Sequence, residues 1–268
     1  MEGSGRARRQ EEVTAFPPEP SPTIPTRCCQ HTLVNEKVTR FCLARHLRTS
    51  LHINQCNQIP NFAEKVLWTD EACFTREGPF KSRNSHIWND VNPHGTYVNS
   101  YQRKFSVNIW AGIVGTVLLG PVLLLPRLNG ETYLAFHENV LPLHMEEVPL
   151  LTRQQLWYQH DGAPPHFSLA VRQHLDALYP QRWIGRAGRV HWPARSPDLT
   201  PLDFYLWGHV KKIVYATPAD TIEELIVRII LAFDEIRETF DFAKIADSMT
   251  QRCQKCIEVQ GGVFEQLL

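Results

Sequence analysis

The chain has no excess of charge of either sign: 28 Lys and Arg are matched by 28 Asp and Glu among 268 residues. No global field therefore draws it toward nucleic acid or an anionic membrane, and any such partner needs a local patch. Cysteine is scarce and irregular. Seven residues, at 28, 29, 42, 56, 73, 253 and 256, form no paired framework, which argues against a disulfide-stapled fold and suits reduced thiols. Cys253 and Cys256 make one C-x-x-C, but no second pair stands at zinc-finger spacing, and a closed zinc site needs four ligands.

A clean apolar run of membrane length is missing too. Val107 to Pro126 is twenty positions without a charge, yet Gly112, Gly115, Gly120 and Pro121 interrupt it and its first half is rich in strand formers. Two buried strands joined at Gly115-Thr116 explain it better, so no membrane partner is expected. No apolar stretch follows Arg6, Arg8 and Arg9, so no secretory leader is read. "GRARRQ" is either a nuclear-localisation patch or a solvated terminus.

What is present suits a globular body, since 43% hydrophobic residues over this length can fill a sizeable core. Residues 1–30 are Pro-rich ("FPPEPSPTIP") and read as disordered. Residues 31–62 read as a linker region, with an amphipathic helix over 34–50 around Val38, Phe41, Leu43 and Leu47. Regular structure is expected from Lys65, within a domain spanning 63–268. Strands are expected at "KVLWTD", His86–Trp88, Phe105–Val114, Val117–Leu125, "LWYQHD" and "RVHW". Tyr133, Phe136, Val140 and Leu141 fall at helical spacing. Phe167, Ala170, Val171, His174, Leu175 and Leu178 make a cleaner helical stripe. "PLDFYLWGHVKKIVY" reads as a helix, and Thr221-x-x-Glu224 is a capping box opening another, with a face of Ile222, Leu225, Ile226, Ile229, Ile230 and Phe233. Strands first and strand–helix alternation afterwards give an α/β fold, a mixed sheet with helices on its faces.

Two of these strands end in an aspartate, Asp70 in "LWTDEACF" and Asp161 in "YQHDGAPPH". Ligands collect at strand ends in open α/β sheets, so neighbouring strands of this kind would bring the carboxylates together. A third acid is offered by "RSPDLTPLDFYLWG", where Asp198 and Asp203 compete. Each has a plainer reading: Thr200 and Asp203 could be a capping pair, and a strand-end Asp often only forms a turn. Three carboxylates on separate segments suit phosphodiester chemistry with two divalent ions about 4 Å apart. Mg²⁺ takes a few carboxylates plus waters and substrate phosphate, and the His- or Cys-rich sets that mark zinc are absent. Glu71 follows Asp70 and, in a strand, points to the opposite face, so it is left out of the set.

"WTDEACF", "QHDGAPPH" and "SPDLTPLDFYLWG", in that order, closely resemble the three catalytic blocks of mariner-like transposases, over roughly residues 60 to 268. The resemblance implies an RNase H-like DDE/D domain built on a mixed five-stranded sheet, with the strands of the first two acids adjacent and the third acid on a helix. It assigns Asp70, Asp161 and Asp203 as catalytic and metal-holding, with two Mg²⁺ or Mn²⁺ ions, and leaves Asp198 to the preceding turn. It further implies cleavage at a transposon end and transfer of the freed 3′-hydroxyl to target DNA in the nucleus, with homodimerisation left open. Two departures stand out. The 41 residues between Asp161 and Asp203 exceed the usual spacing, with "YPQRWIGRAGRV" as the source of extra length. The stretch before Asp70 is too short for the tandem helix-turn-helix modules of that family, so a truncated copy is expected.

Local charge supports DNA contact. Residues 181–212 hold six basic side chains against two acids, with Trp183, Trp192 and Trp207 among them. His166, Arg195, Lys211 and Lys212 are the DNA-contact candidates, while the tryptophans read rather as core. Two other readings compete: a decayed transposase kept as a nucleic-acid-binding or interaction module, and a generic RNase H-type nuclease.

Overall fold

The structure is a computed structural model and describes residues 42–76, 78, 105–192 and 196–268, Arg48 excepted. The Pro-rich stretch 1–30 and the strand expected at His86–Trp88 lie outside the described residues. Six strands form one sheet: β1 (Val66–Thr75), β2 (Ser106–Val114), β3 (Val117–Leu124), β4 (Trp157–Gln159), β5 (Trp183–Gly185) and β6 (Val190–His191). Their order is β3-β2-β1-β4-β5-β6. The first three run antiparallel, and β4, β5 and β6 add in parallel beside β1.

The sheet is thus mixed, as expected, but has six strands in place of five. The difference lies in "YPQRWIGRAGRV", read as loop, whose Trp183 and Ile184 are buried in β5. The uncharged run is a hairpin, not a span. Gly115 carries a φ of 54°, the left-handed conformation its two-residue turn requires. No helix among the described residues is long and apolar enough to cross a membrane.

Strand alternation sends successive side chains of β1 to opposite faces, and each face has its own core. Val66, Trp68, Ala72 and Phe74 enter one with α6 (Trp207–Val214), α7 (Ile222–Thr239) and α8 (Ala243–Glu258). Leu67 enters the other with α2 (Gly130–Asn139) and α5 (Leu169–Leu178). Between α2 and β4 run α3 (Leu141–His144) and α4 (Leu150–Gln154). The helix starts follow sequence chemistry. Asn129 and Thr132 cap α2 reciprocally, Ser168 accepts from Val171 N in α5, and Thr221 accepts from Glu224 N in α7. The reciprocal bond predicted for Glu224 goes instead to Asp220 N, at 2.9 Å.

Of the helix expected at 34–50, residues 34–41 lie outside the described residues; from 42 it is helical over 42–47 and 49–58, running past the expected end. It packs on the domain. Arg45 pairs with Asp198, Ile53, Cys56 and Ile59 join the first core, and the His52 ring meets Phe62 and Trp68. The compact unit runs Arg40–Leu268. Cys253 and Cys256 are free thiols facing this core from α8.

Candidate active site

Asp70 sits in the middle of β1, not at its end. The strand continues to Thr75 because Ala72 and Phe74 keep feeding the core and β2 pairs with it from Trp68 to Thr75, Asp70 opposite Ala111. β4 lies on the other side in parallel, with Trp68 opposite Gln159. The ladder stops at that pair, and Asp161 follows two residues beyond it, as Asp70 does on β1. The chain turns there because Asp161 Oδ1 accepts the backbone N–H of Ala163 at 2.9 Å, an Asx turn before Pro164 and Pro165.

Asp203 comes from a π-helical segment, Leu202–Leu206, that runs directly into α6. A π turn inside a helix is uncommon and often marks a functional position. The capping reading is not realised. The segment has no side-chain cap, and the Thr200 hydroxyl turns back to Ser196 O. Asp198, the competing acid, is engaged with Arg45 and lends its carbonyl to Arg252.

Electrostatics couple the three acids. Asp70 is pushed up to about 8, first by burial and then by the negative charges of Asp203 and Glu71. The indole N–H of Trp207 donates to its Oδ2 at 2.8 Å and opposes the rise. Asp203 is pushed up to about 6 by burial and by Asp161, against the pull of Lys211. Burial would raise Asp161 as well, but His166 outweighs it and holds that carboxyl below its usual range.

His166 organises the opposite face of the sheet. Its Nδ1 lies 2.7 Å from Asp161 Oδ1 and its Nε2 3.3 Å from Glu71 Oε2. Burial alone would depress the imidazole, yet Glu71 and Asp161 together lift it to about 10, so it stands as a cation between two carboxylates. Tyr133 packs on its ring at 4.2 Å and His160 stacks at 4.9 Å. Gly185 allows this stack, since a Cβ there would come within 2.6 Å of the His160 ring. Below it Tyr133, Tyr158, Thr69 and His137 share buried hydrogen bonds.

Of the DNA-contact candidates, His166 is 3% exposed and engaged with Asp161 and Glu71. Arg195 lies outside the described residues. Lys211 is half-buried beside Phe74 and acts on Asp203, and Lys212 is exposed. Trp183, Trp192 and Trp207 are all core. Two contributors escaped the sequence reading. Trp207 looked like core alone, and Glu71 was set aside for pointing to the opposite face, which is where His166 meets it.

The acids are hard oxygen donors whose mutual repulsion a divalent cation would relieve, so their chemistry fits Mg²⁺ or Mn²⁺. Among the described residues, no three His, Cys, Asp or Glu side chains are grouped tightly enough to hold an ion alone.

No protein-family profile matches the chain. It is 27% identical over 224 residues to the Tc3 transposable-element transposase of Caenorhabditis elegans, covering 81% of this chain and 63% of that protein. Against the Tc1 transposase of the same organism it is 28% identical over 207 residues, covering 74% and 68%. The chain thus spans under two thirds of the Tc3 protein's length. Among solved structures, the Mos1 transposase catalytic domain with raltegravir and Mg aligns at a TM-score of 0.62 and 19% identity, covering 84% of this chain and 98% of that one. The Mos1 paired-end complex with a left transposon end gives 0.65 and 18%, covering 96% and 68%. The fold is the RNase H-like fold of the Mos1 catalytic domain, and in sequence the chain is similar to the Tc3 and Tc1 transposases.

Proposed function

We propose that this domain cleaves DNA strands and transfers their 3′ ends in the manner of a DDE/D transposase, with Asp70, Asp161 and Asp203 as its catalytic carboxylates. The observation that carries the reading is geometric: the Trp207 indole, at the end of the segment that bears Asp203, hydrogen-bonds Asp70 at 2.8 Å, and Asp161 follows the strand that pairs in parallel with that of Asp70. Mos1 catalytic-domain structures solved with Mg and with Mn support a divalent ion as cofactor. The same three carboxylates would hold it. Bound there, such ions would supply a lowered pKa to an attacking water and charge neutralisation at the scissile phosphate.

The rest falls to the chain. Asp161 commits Oδ1 to Ala163 and His166, which fixes the plane of its carboxylate and leaves Oδ2 for an external ligand. Trp207 does the same for Asp70 through Oδ2. Asp161 and Asp203 are exposed and Asp70 is half-buried, so DNA phosphate and ions can reach acids already oriented by their neighbours. In the first reaction water attacks phosphorus, the P–O3′ bond breaks and a 3′-hydroxyl is released. In the second, that hydroxyl attacks a phosphodiester of another duplex and displaces its 3′ oxygen. DNA as substrate and the nucleus as compartment follow from this reading.

The test is nicking of supercoiled plasmid by wild type and Asp161→Asn at low salt with Mg²⁺ or Mn²⁺. The substitution keeps the shape and removes the charge. Nicking by wild type alone supports the proposal; no nicking, or equal nicking by both, overturns it.

A further inference from the structure

The stripe expected of α5 includes Phe167 as a core residue. The structure puts it elsewhere. A 3-10 turn, Pro165–Phe167, precedes α5 and leaves the ring 36% exposed, outside both cores. Two guanidinium groups cover it. Arg172 Cζ lies 4.6 Å from the ring centroid and Arg186 Cζ 4.3 Å. Neither arginine pairs with a carboxylate among the described residues, so two positive charges share one aromatic ring with no acid between them.

The location is informative. Arg186 follows the last residue of β5, and β5 pairs in parallel with β4, Gln159 opposite Ile184. Continued by two residues, the register sets Arg186 beside Asp161. The Arg186 side chain also packs over Gly162, where a Cβ would stand 3.6 Å from its own Cβ. Phe167 adjoins His166, which grips Asp161. Arg186 thus stands at the carboxyl end of β5, beside the turn that follows Asp161 and where ligands enter α/β sheets, and Arg172 meets it across the Phe167 ring.

Arginine stacked on an aromatic face keeps its N–H fork free at the edges, and that fork matches phosphate oxygens. The ring holds two forks in fixed orientation, which lowers the entropy lost when an anion arrives. Like charges held this close favour a polyanion over a neutral ligand. We infer that Arg172, Phe167 and Arg186 form a phosphate clamp that grips the DNA strand on the β5 side of Asp161. The nature of the polyanion rests on the proposed function, and the assembly itself does not.

The experiment is fluorescence anisotropy of a short labelled duplex with the ion-free protein in EDTA, over a series of salt concentrations. Cleavage cannot occur there, so the result is independent of nicking. Neutralising two phosphate contacts in R172Q/R186Q should lower the slope of log K against log salt by about 2, and weaken binding at low salt roughly tenfold or more. Phe167→Leu keeps both charges, so its slope should stay near wild type while affinity drops. Lys244→Gln, on an exposed lysine paired with Asp241, should change neither. Melting temperatures guard against misfolding, and Arg172→Lys with Arg186→Lys should restore the slope but not the full affinity. An unchanged slope in the folded glutamine variant, a full-affinity Phe167→Leu, or a wild type that fails to bind DNA would each overturn the clamp. A wild type that nicks DNA while the glutamine variant binds normally would sink the clamp and leave the catalytic reading standing. Loss of binding in that variant with no nicking by wild type would do the reverse.

Discussion

Without divalent ions, Asp70 should cost the folded protein stability at the pH where the enzyme would work, and Asp70→Asn should return it. The folded-state pKa is about 8, against an ordinary carboxyl value near 3.8. Between those two values the folded state holds a proton that the unfolded chain has already released. Stability must therefore fall as pH rises through this window, by up to about 1.4 kcal/mol per unit. From pH 6 to pH 8 the loss assigned to Asp70 is about 2 to 3 kcal/mol. For a domain of this size, that amounts to very roughly 5–10 °C in melting temperature.

His166 complicates the raw curve. Its folded pKa of about 10 exceeds the ordinary 6.5, so it contributes stability below pH 6.5 that is also lost as pH rises. The wild-type slope alone is thus not diagnostic, and the difference from Asp70→Asn is. Asparagine cannot ionise, its carbonyl can still accept from Trp207, and His166 titrates in both proteins. The assay is thermal melting in EDTA at pH 6 and pH 8. The variant should gain on wild type between the two pH values, while losing all nicking activity. Adding Mn²⁺ should raise the wild-type melting temperature more at pH 8 than at pH 6. A variant that gains nothing on wild type between pH 6 and pH 8 refutes the claim that Asp70 is held protonated by burial and by its acidic neighbours.

Two further predictions follow from the buried histidines. His52 is held down to about 4 by burial, and His137 to about 3 by burial and then by His174 and His166. The unfolded chain takes up these protons first, so stability should drop as pH falls from about 6.5 toward 4, and His52→Phe should flatten the fall in urea denaturation at pH 7 against pH 5; an equal fall in both proteins speaks against a neutral His52. Gly185→Ala brings a Cβ within 2.6 Å of His160 and 3.0 Å of the Trp183 ring, so it should cost about 1–3 kcal/mol and reduce nicking by displacing the residue before Asp161. A variant with wild-type melting and nicking would show that the His160 stack tolerates the shift.

Much of the fold is legible where one residue type repeats along an element. β2 and β3 are near-continuous apolar runs, and α7 has a capping threonine before a periodic face, so local pattern and burial agree. β5 escaped because three residues between a Tyr-Pro and a Gly-rich turn show no period; parallel pairing to β4 makes it a strand. Phe167 fell on the helical stripe by count, but the helix begins only at Leu169 and the ring leaves the core. Asp70 was misjudged as a strand end because a charge looks like a stop, whereas the core residues on both sides of it carry the strand through. The acids were legible as separate motifs. Their coupling was not, because it depends on β1 lying beside β4 and on the approach of a helix that follows 41 residues later.

Glu71 shows why spacing alone could not complete the site. Alternation in β1 correctly sends Asp70 and Glu71 to opposite faces, and a reading that follows only one face discards the second acid. Yet β4 ends at Gln159, opposite Trp68 and short of both acids, and beyond a strand end the two faces are no longer separated by backbone. His166, on the turn that follows, can therefore meet Glu71 on its own face and Asp161 at the rim. Asp161 in turn acts on Asp203, and Asp203 on Asp70, across the other face. The short β4 is thus what joins the two halves of the site. A β4 longer by two pairs would carry Asp161 into the ladder and remove the turn on which its carboxylate meets Ala163 N and His166.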